Sequence, residues 1–598
     1  MKKVKNKKVK IGCASGFWGD TSTAAKQLVD DDNIDYLVFD FLAEVTMSIL
    51  AGSKLKNPNL GYATDFVTQL TPLLKDIHSK KIKIISNAGG INPEACRSIL
   101  VEESKKIGVD LKIAIVFGDD LINNLDELKK LDLREIDTNE TLAENILSIN
   151  AYLGAQGIAA ALKKGADIII TGRCVDSAMV LGPLIHEFKW KYDDYDYLAQ
   201  GSLAGHIIEC GAQCTGGNFT DWEEIKGFEN IGFPIVEVEH NGEFTVSKPP
   251  RTGGLVSFGT VAEQFLYEIG DPSKYLLPDV ICDFSEVTIK EIGDNIVQVK
   301  NAKGLPPSNK YKISVTYMNG YNVIGKLVIG GLKAEKKGQI IAEAIFNKTS
   351  RILKKNNLDP FSEIKFDLIG TNSIYGPKNV NKNSKEIVLR IMAKHLKKEA
   401  LILFSKEIAQ AVTGMTPGVM NYMGGRPKVS RSIHLQSFLL DKNLVSIGFD
   451  INNEKSLIPP YKKNNKIIIN KTKIKFNSTV EGLNLDSSVP LINLAYARSG
   501  DKGDHANIGI IARKPEYLPF IKNALTSTNL STYFNHVLKG DIKVWDVPGI
   551  SGINFLLKHS LGGGGMASLN IDPQGKAYAQ QILEYEIPIT SHLASKLF

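Results

Sequence analysis

The sequence predicts an α/β protein: a doubly wound, mostly parallel sheet at the N-terminus, an α+β subdomain in the middle, and a small α+β unit at the C-terminus. Three observations predict it. Residues 1 to about 180 alternate short β-branched apolar runs with longer helical stretches, which is the pattern of a parallel sheet. These runs are apolar on successive residues rather than alternately, as in strands buried on both faces. From about 280 onward strands and helices mix without that regular alternation.

The predicted strands are 9–14, 36–41, 82–86, 112–117 and 167–171. Each ends in turn or polar residues: Ser15-Gly16, Asp40, Asn87-Ala88-Gly89-Gly90, Gly118-Asp119-Asp120 and Gly172-Arg173. In open α/β sheets the ligand crevice lies at these carboxyl ends. A glycine-rich stretch, 201–217, and Lys248-Pro249-Pro250-Arg251-Thr252-Gly253-Gly254 then read as site-forming loops. In 276–450 the Tyr317-Met318-Asn319-Gly320-Tyr321 segment predicts a hairpin and 338–353 a helix. Residues 451–487, with Asn452-Asn453, Pro459-Pro460 and Lys462-Lys463-Asn464-Asn465, read as a linker. A second core is expected over 488–598, with strands at 491–497 and 508–512 around a charged loop, Arg498 to His505, then Leu561-Gly562-Gly563-Gly564-Gly565 and a last helix at 576–584. No fixed-period repeat occurs.

Composition narrows the function. The 598 residues are 43% hydrophobic and 23% charged, with mean hydropathy −0.08, as expected of ordinary globular proteins. The net charge of +7 is small for this length, and six lysines fall within the first ten residues. The body is near neutral, so no nucleic-acid partner is expected. No run of about 18 uncharged apolar residues occurs, so no membrane span is expected. Six cysteines without a C-x-x-C pair favour a reducing, cytoplasmic setting. The lysine-rich start lacks the apolar h-region of a signal peptide.

Common cofactor and nucleophile motifs are missing. The first strand-turn, Gly12-x-x-x-Gly16-x-x-Gly19, departs from G-x-G-x-x-G, so no nicotinamide or flavin is expected. Neither a P-loop, a G-x-S-x-G elbow nor H-E-x-x-H occurs.

Four constellations can carry chemistry. The first is the strand-end set Asp20, Asp40, Glu44, Asn87, Asp119 and Arg173. Acids gathered in one crevice raise one another's pKa, which suits acid/base work or a divalent metal, while Arg173 can fork onto a carboxylate or phosphate. Helix capping is the competing role for the acids. The second is Thr171-Gly172-Arg173-Cys174-Val175-Asp176, where Cys174 is a candidate nucleophile or acid with Asp176 as partner, against the role of a small buried hydrophobe. The third is His206, Glu209 and Cys210, which share one helix face and could form an acid/base pair or hold a metal, or a His-Glu bond that merely fixes the helix. The fourth is Asp501, Lys502, Asp504 and His505, against a solvated hairpin. Gly16, Gly89, Gly90, Gly216, Gly217, Thr252, Gly253 and Gly254 are candidates, with Asp20, Asn87 and Arg173, for holding anionic substrate groups.

These segments carry a resemblance. Residues 11–20, 36–48 with Phe41-Leu42-Ala43-Glu44, Asn87-Ala88-Gly89-Gly90, 171–178, 205–217 and Thr252-Gly253-Gly254 together resemble the acyclic terpene utilisation protein A family, over most of 8–450. Residues 491–509, with Ala497-Arg498-Ser499-Gly500-Asp501-Lys502-Gly503-Asp504, and 554–576 resemble that family's ferredoxin-like companion domain, a fold name that implies no iron–sulfur cluster. The resemblance implies bacterial breakdown of citronellol- and geraniol-like compounds, where intermediates are branched acyl-CoA thioesters. The expected function is therefore a catabolic enzyme acting on a branched or hydroxylated acyl-CoA, a lyase or hydrolase and a homo-oligomer. The alternative is a non-catalytic ligand-binding or assembly component. The 501–505 loop is expected to cap the crevice.

Overall fold

The computed structural model describes residues 7–31, 34–371, 373–378, 383–459, 480 and 482–597. Its first sheet is centred on five parallel strands: β1 (Lys8–Cys13), β2 (Tyr36–Phe39), β3 (Lys83–Ser86), β4 (Ile113–Phe117) and β5 (Ile168–Thr171). They lie in the order β1-β2-β3-β5-β4, with Ile84 opposite Ile168 and Ile168 opposite Ile113. Side chains alternate between faces along a strand, and here both faces are covered. Ile11, Val38 and Ile85 enter one apolar core, and Leu37, Phe39 and Ile84 enter the other. That two-sided burial is why these runs read as continuously apolar.

Antiparallel strands extend both margins, so the parallel arrangement holds at the centre and the whole sheet of eleven is mixed. Beyond β4 lie Gly448–Ile451 and Glu454–Leu457, joined through Asn452 and Asn453, both with positive φ. The first residues of the expected linker thus form a hairpin whose two-residue turn suits asparagine. Most of the rest of that linker, including Lys462 to Asn465, lies outside the described residues.

The middle region is an antiparallel sheet built on β6 (Lys310–Gly330), covered by helices Ala334–Lys355 and Lys398–Ala409. Its outer strand is β7 (Glu363–Ile369). The hairpin expected at 317–321 is absent. The chain runs straight through, and Gly320, at φ 72°, sits where the register against Ser430–Asp441 shifts between Met318 and Tyr321. Asn-Gly supplies positive φ to a bulge as readily as to a turn. Strand Ile146–Ala151, from the N-terminal part of the chain, also pairs with β6.

The C-terminal unit is a four-stranded antiparallel sheet with helices packed on it. Its strands β8 (Ala495–Lys502) and β9 (His505–Ala512) pair residue for residue from Ala495 with Ala512 to Lys502 with His505. The expected charged loop is therefore mostly strand, with only Gly503 and Asp504 at the turn. This unit docks through buried polar bonds. Asn507 donates to Leu266 O (2.7 Å) and accepts from Glu268 N–H (2.9 Å). Asn554 donates to the carbonyls of Ile269 and Gly270, and Arg513 grips Asp221 with two bonds of 2.6 Å.

Candidate active site

The strand ends bring together Asp40 after β2, Asn87 after β3, Asp119 after β4, and Arg173 and Asp176 after β5. Asn87 donates Nδ2–H to Asp40 Oδ1 (2.7 Å) and accepts Phe41 N–H at Oδ1 (2.8 Å), so its amide is committed to building the site. Arg173, 4% exposed, donates from Nη1 to Leu42 O (2.6 Å) and Asp176 Oδ1 (2.8 Å), with its guanidinium 4.3 Å from the Tyr152 ring centroid. Asp119 accepts Arg173 N–H (2.7 Å) and Asn150 Nδ2–H (3.0 Å). Burial pushes its carboxyl up to about 7.

Helices α1 (Ala178–Phe188) and α2 (Tyr195–Ile208) lie behind these groups. They touch where Gly205 meets Ser177: a Cβ at 205 would stand 2.7 Å from Ser177 Cα. This close approach sets His206 and Glu209 beside Asp176. His206 is buried, with Nε2 3.1 Å from Phe265 O and Nδ1 3.1 Å from Glu209 Oε1. A carbonyl only accepts, so Nε2 carries the hydrogen. Burial pushes the imidazole down to about 4, hence it is neutral near pH 7 and Nδ1 is an acceptor. Glu209 must then be the donor. This agrees with burial, and the nearby Asp176 and Glu268, raising its pKa well above the usual range. Burial and Asp176 also raise Asp40, against the pull of Asn87 and Arg173. Two carboxyls raised by their surroundings thus flank Asp176, which is paired with Arg173 and has 33% of its side chain exposed.

The C-terminal unit reaches the same place. Lys502 Nζ lies 5.7 Å from the Tyr275 ring centroid, and its charge acts on His206 and Glu209. Lys576 bonds the Tyr267 hydroxyl. Half-buried Asp501 adds negative charge near Tyr267.

Other expected residues have different employment. Burial pushes the Cys174 thiol up to about 12, which removes the thiolate a nucleophile needs. His206, with both nitrogens bonded, has no lone pair free for a metal, and Cys210 is likewise raised by burial. Among the described residues no three His, Cys, Asp or Glu side chains gather as a metal site. Asp20 folds its own turn, accepting from Gly16 N–H (2.9 Å) and Thr21 N–H (2.7 Å). Gly90 N–H returns to Asn87 O, and a Cβ on Gly89 would meet Thr171 O at 2.6 Å, so both glycines serve packing. Gly216 and Gly217 bond Ala212 O, Gly253 bonds Asn230 O, Gly254 bonds Lys226 O, and Thr252 Oγ1 bonds Pro249 O (2.6 Å). Those N–H groups are consumed within the loops and are not available to an anion. Asp504 bonds His559 Nδ1 (3.0 Å) and Gly563 N–H (2.6 Å), and His505 accepts His559 N–H (3.1 Å) while Nε2 stands 3.4 Å from Asp137. Glu44 opens helix Glu44–Lys56, and its side chain lies outside the described residues.

Sequence reasoning missed Tyr152, Tyr267, Glu268, Tyr275 and Lys576. Glu268, in the left-handed region at φ 59°, carries no local signal, and tertiary docking alone brings it in.

Fold and site define a two-part α/β protein in which an appended α+β domain contributes to a crevice of titratable groups at the strand ends. Residues 9–451 match the model of the acyclic terpene utilisation family protein AtuA, and 489–588 match the AtuA ferredoxin-like domain. The chain belongs to the AtuA family, which ties it to acyclic terpene utilisation, and its C-terminal unit is that ferredoxin-like domain. No curated protein and no solved structure matches it.

Proposed function

We propose that the protein is a catabolic enzyme that cleaves a branched, hydroxylated acyl-CoA by a lyase reaction in the strand-end crevice. One observation carries this reading: Asp176, held by Arg173 and open to solvent, stands beside Asp40 and Glu209, two buried carboxyls whose surroundings favour the protonated form. Carboxyls in such unequal surroundings can divide into base and acid. Asp176 takes the hydroxyl proton, and the C–O bond gains double-bond character as the adjacent C–C bond breaks. The electron pair passes to the thioester carbonyl as an enolate, whose oxygen is stabilised by Arg173 or Lys502. Glu209 then protonates the enolate carbon, and His206, bonded to Phe265 O, holds Glu209 in place.

The test is product analysis by mass spectrometry, with the full chain and a panel of branched 3-hydroxyacyl-CoAs. Cleavage to a shorter acyl-CoA and a carbonyl compound supports the lyase. Release of free CoA with an intact acyl chain points instead to hydrolysis of the C–S bond, and an unconsumed panel overturns the enzyme reading.

A further inference from the structure

A second cavity, of about 550 Å³, lies between the middle sheet and the ferredoxin-like domain. It falls within the size range of small-molecule sites. One wall is β7, which among the described residues pairs with a neighbouring strand on one side only. Ser373 and, across from β7, His536 and Gln581 also line it. The Gln581 amide bonds the His536 ring, which leaves Ser373 Oγ and the other end of that amide buried without a hydrogen-bond partner. Buried polar groups are normally paired, so a concentration of unpaired ones at one cavity points to a missing ligand. His536 Nε2 bonds Ile374 O (3.2 Å), so in a neutral ring Nδ1 is an acceptor and takes the Gln581 N–H. Gln581 Oε1 is then left as an acceptor for the N–H of a secondary amide.

The charges also select. Asp367 is held by Arg390 (2.7 Å), Glu363 by Lys394 (2.6 Å), and Asp572 by the N–H groups of Lys576 and Ala577. Lys365 is bonded to Asn570 Oδ1 (2.7 Å). Exposed Lys539 and half-buried Glu335, also in the lining, are each in no ion pair among the described residues. Asp572 of the lining lies four residues before Lys576, which bonds Tyr267 beside Glu268. Four residues of chain span at most about 14 Å.

We propose that this cavity holds the pantetheine arm of the acyl thioester, its secondary amides on Gln581 and the free edge of β7 and its phosphate-bearing end towards Lys539. The assignment rests on the acyl-CoA reading above. Calorimetric titration of the full chain with CoA and with pantetheine tests it. Gln581→Met is expected to weaken both ligands at least tenfold. Lys539→Ala, on the surface, is expected to weaken CoA several-fold and leave pantetheine, which lacks the nucleotide phosphates, unchanged. Asp176→Asn, in the crevice, should change neither. Absence of CoA binding, or binding indifferent to both Gln581→Met and Lys539→Ala, overturns the proposal. Acyl-CoA turnover with such indifferent binding sinks the cavity assignment alone. Binding that responds to both substitutions without turnover of any acyl-CoA sinks the lyase alone.

Discussion

The strand-end crevice and the loop cluster around Gly216, Gly217 and 252–254 are both dense in the residue types that make sites, yet they are put together in opposite ways. In the loops each backbone N–H named above finds a neighbouring carbonyl, and Gly253 is pressed so closely to Gly227 that a Cβ would stand 2.0 Å from its carbonyl oxygen. In the crevice, carboxyls crowd one another, and burial together with Asp176 raises the Asp40 and Glu209 carboxyls. Polar groups that are satisfied build a scaffold, whereas those kept in tension can exchange protons.

The sharpest way to break this contrast is Asp176→Asn. We expect kcat/KM to fall by about 10²–10⁴-fold, the usual share of a general base, with the melting temperature little changed. Equal loss of both would make the crevice scaffold too. Next comes Asp119. Its folded-state pKa, about 7, exceeds the unfolded value, so the folded protein binds the extra proton. That stability is present in full below about pH 4 and is lost as pH rises towards 7, in all about 4 kcal/mol. Denaturant titrations at pH 4 to 8 should show this slope in the wild type and a flatter one in Asp119→Asn. Gly253→Ala tests the other side: the overlap with Gly227 should cost about 1–3 kcal/mol, read as a lower denaturation midpoint, with kcat retained in the folded fraction. Smallest is Cys174→Ala, for which turnover within about twofold is expected, since a thiol held protonated attacks nothing. A loss of about 10²-fold would restore it as a nucleophile.

The same contrast explains what could be read in advance. The five parallel strands were legible because burial on both faces writes an unbroken apolar run into the sequence, and Asp40, Asn87, Asp119 and Arg173 followed from their ends. Tyr317 to Tyr321 misled because Asn-Gly encodes a positive φ and not the partner strands that decide between turn and bulge. The span from Arg498 to Lys502 read as a loop because its polar side chains meet the large domain, as where Arg498 bonds Gln213 and Asn218 O. Glu268 and Lys576 could not be found at all, since they lie over 300 residues apart and meet only when Asn507 and Asn554 dock.

The exchange of strands between the first two sheets also bears on how the chain is made. Ile146–Ala151 finds its strand partner in β6, with Asn150 also bridging Asp120, and β4 is flanked on its outer side by Gly448–Ile451. During synthesis the first sheet therefore waits with an open edge for some 300 residues, and such edges invite pairing with other chains. A fragment ending near residue 275 would keep that edge permanently bare, so expression of the N-terminal part alone should give aggregates, and a nascent chain of this protein has good reason to meet a chaperone before residue 451 emerges.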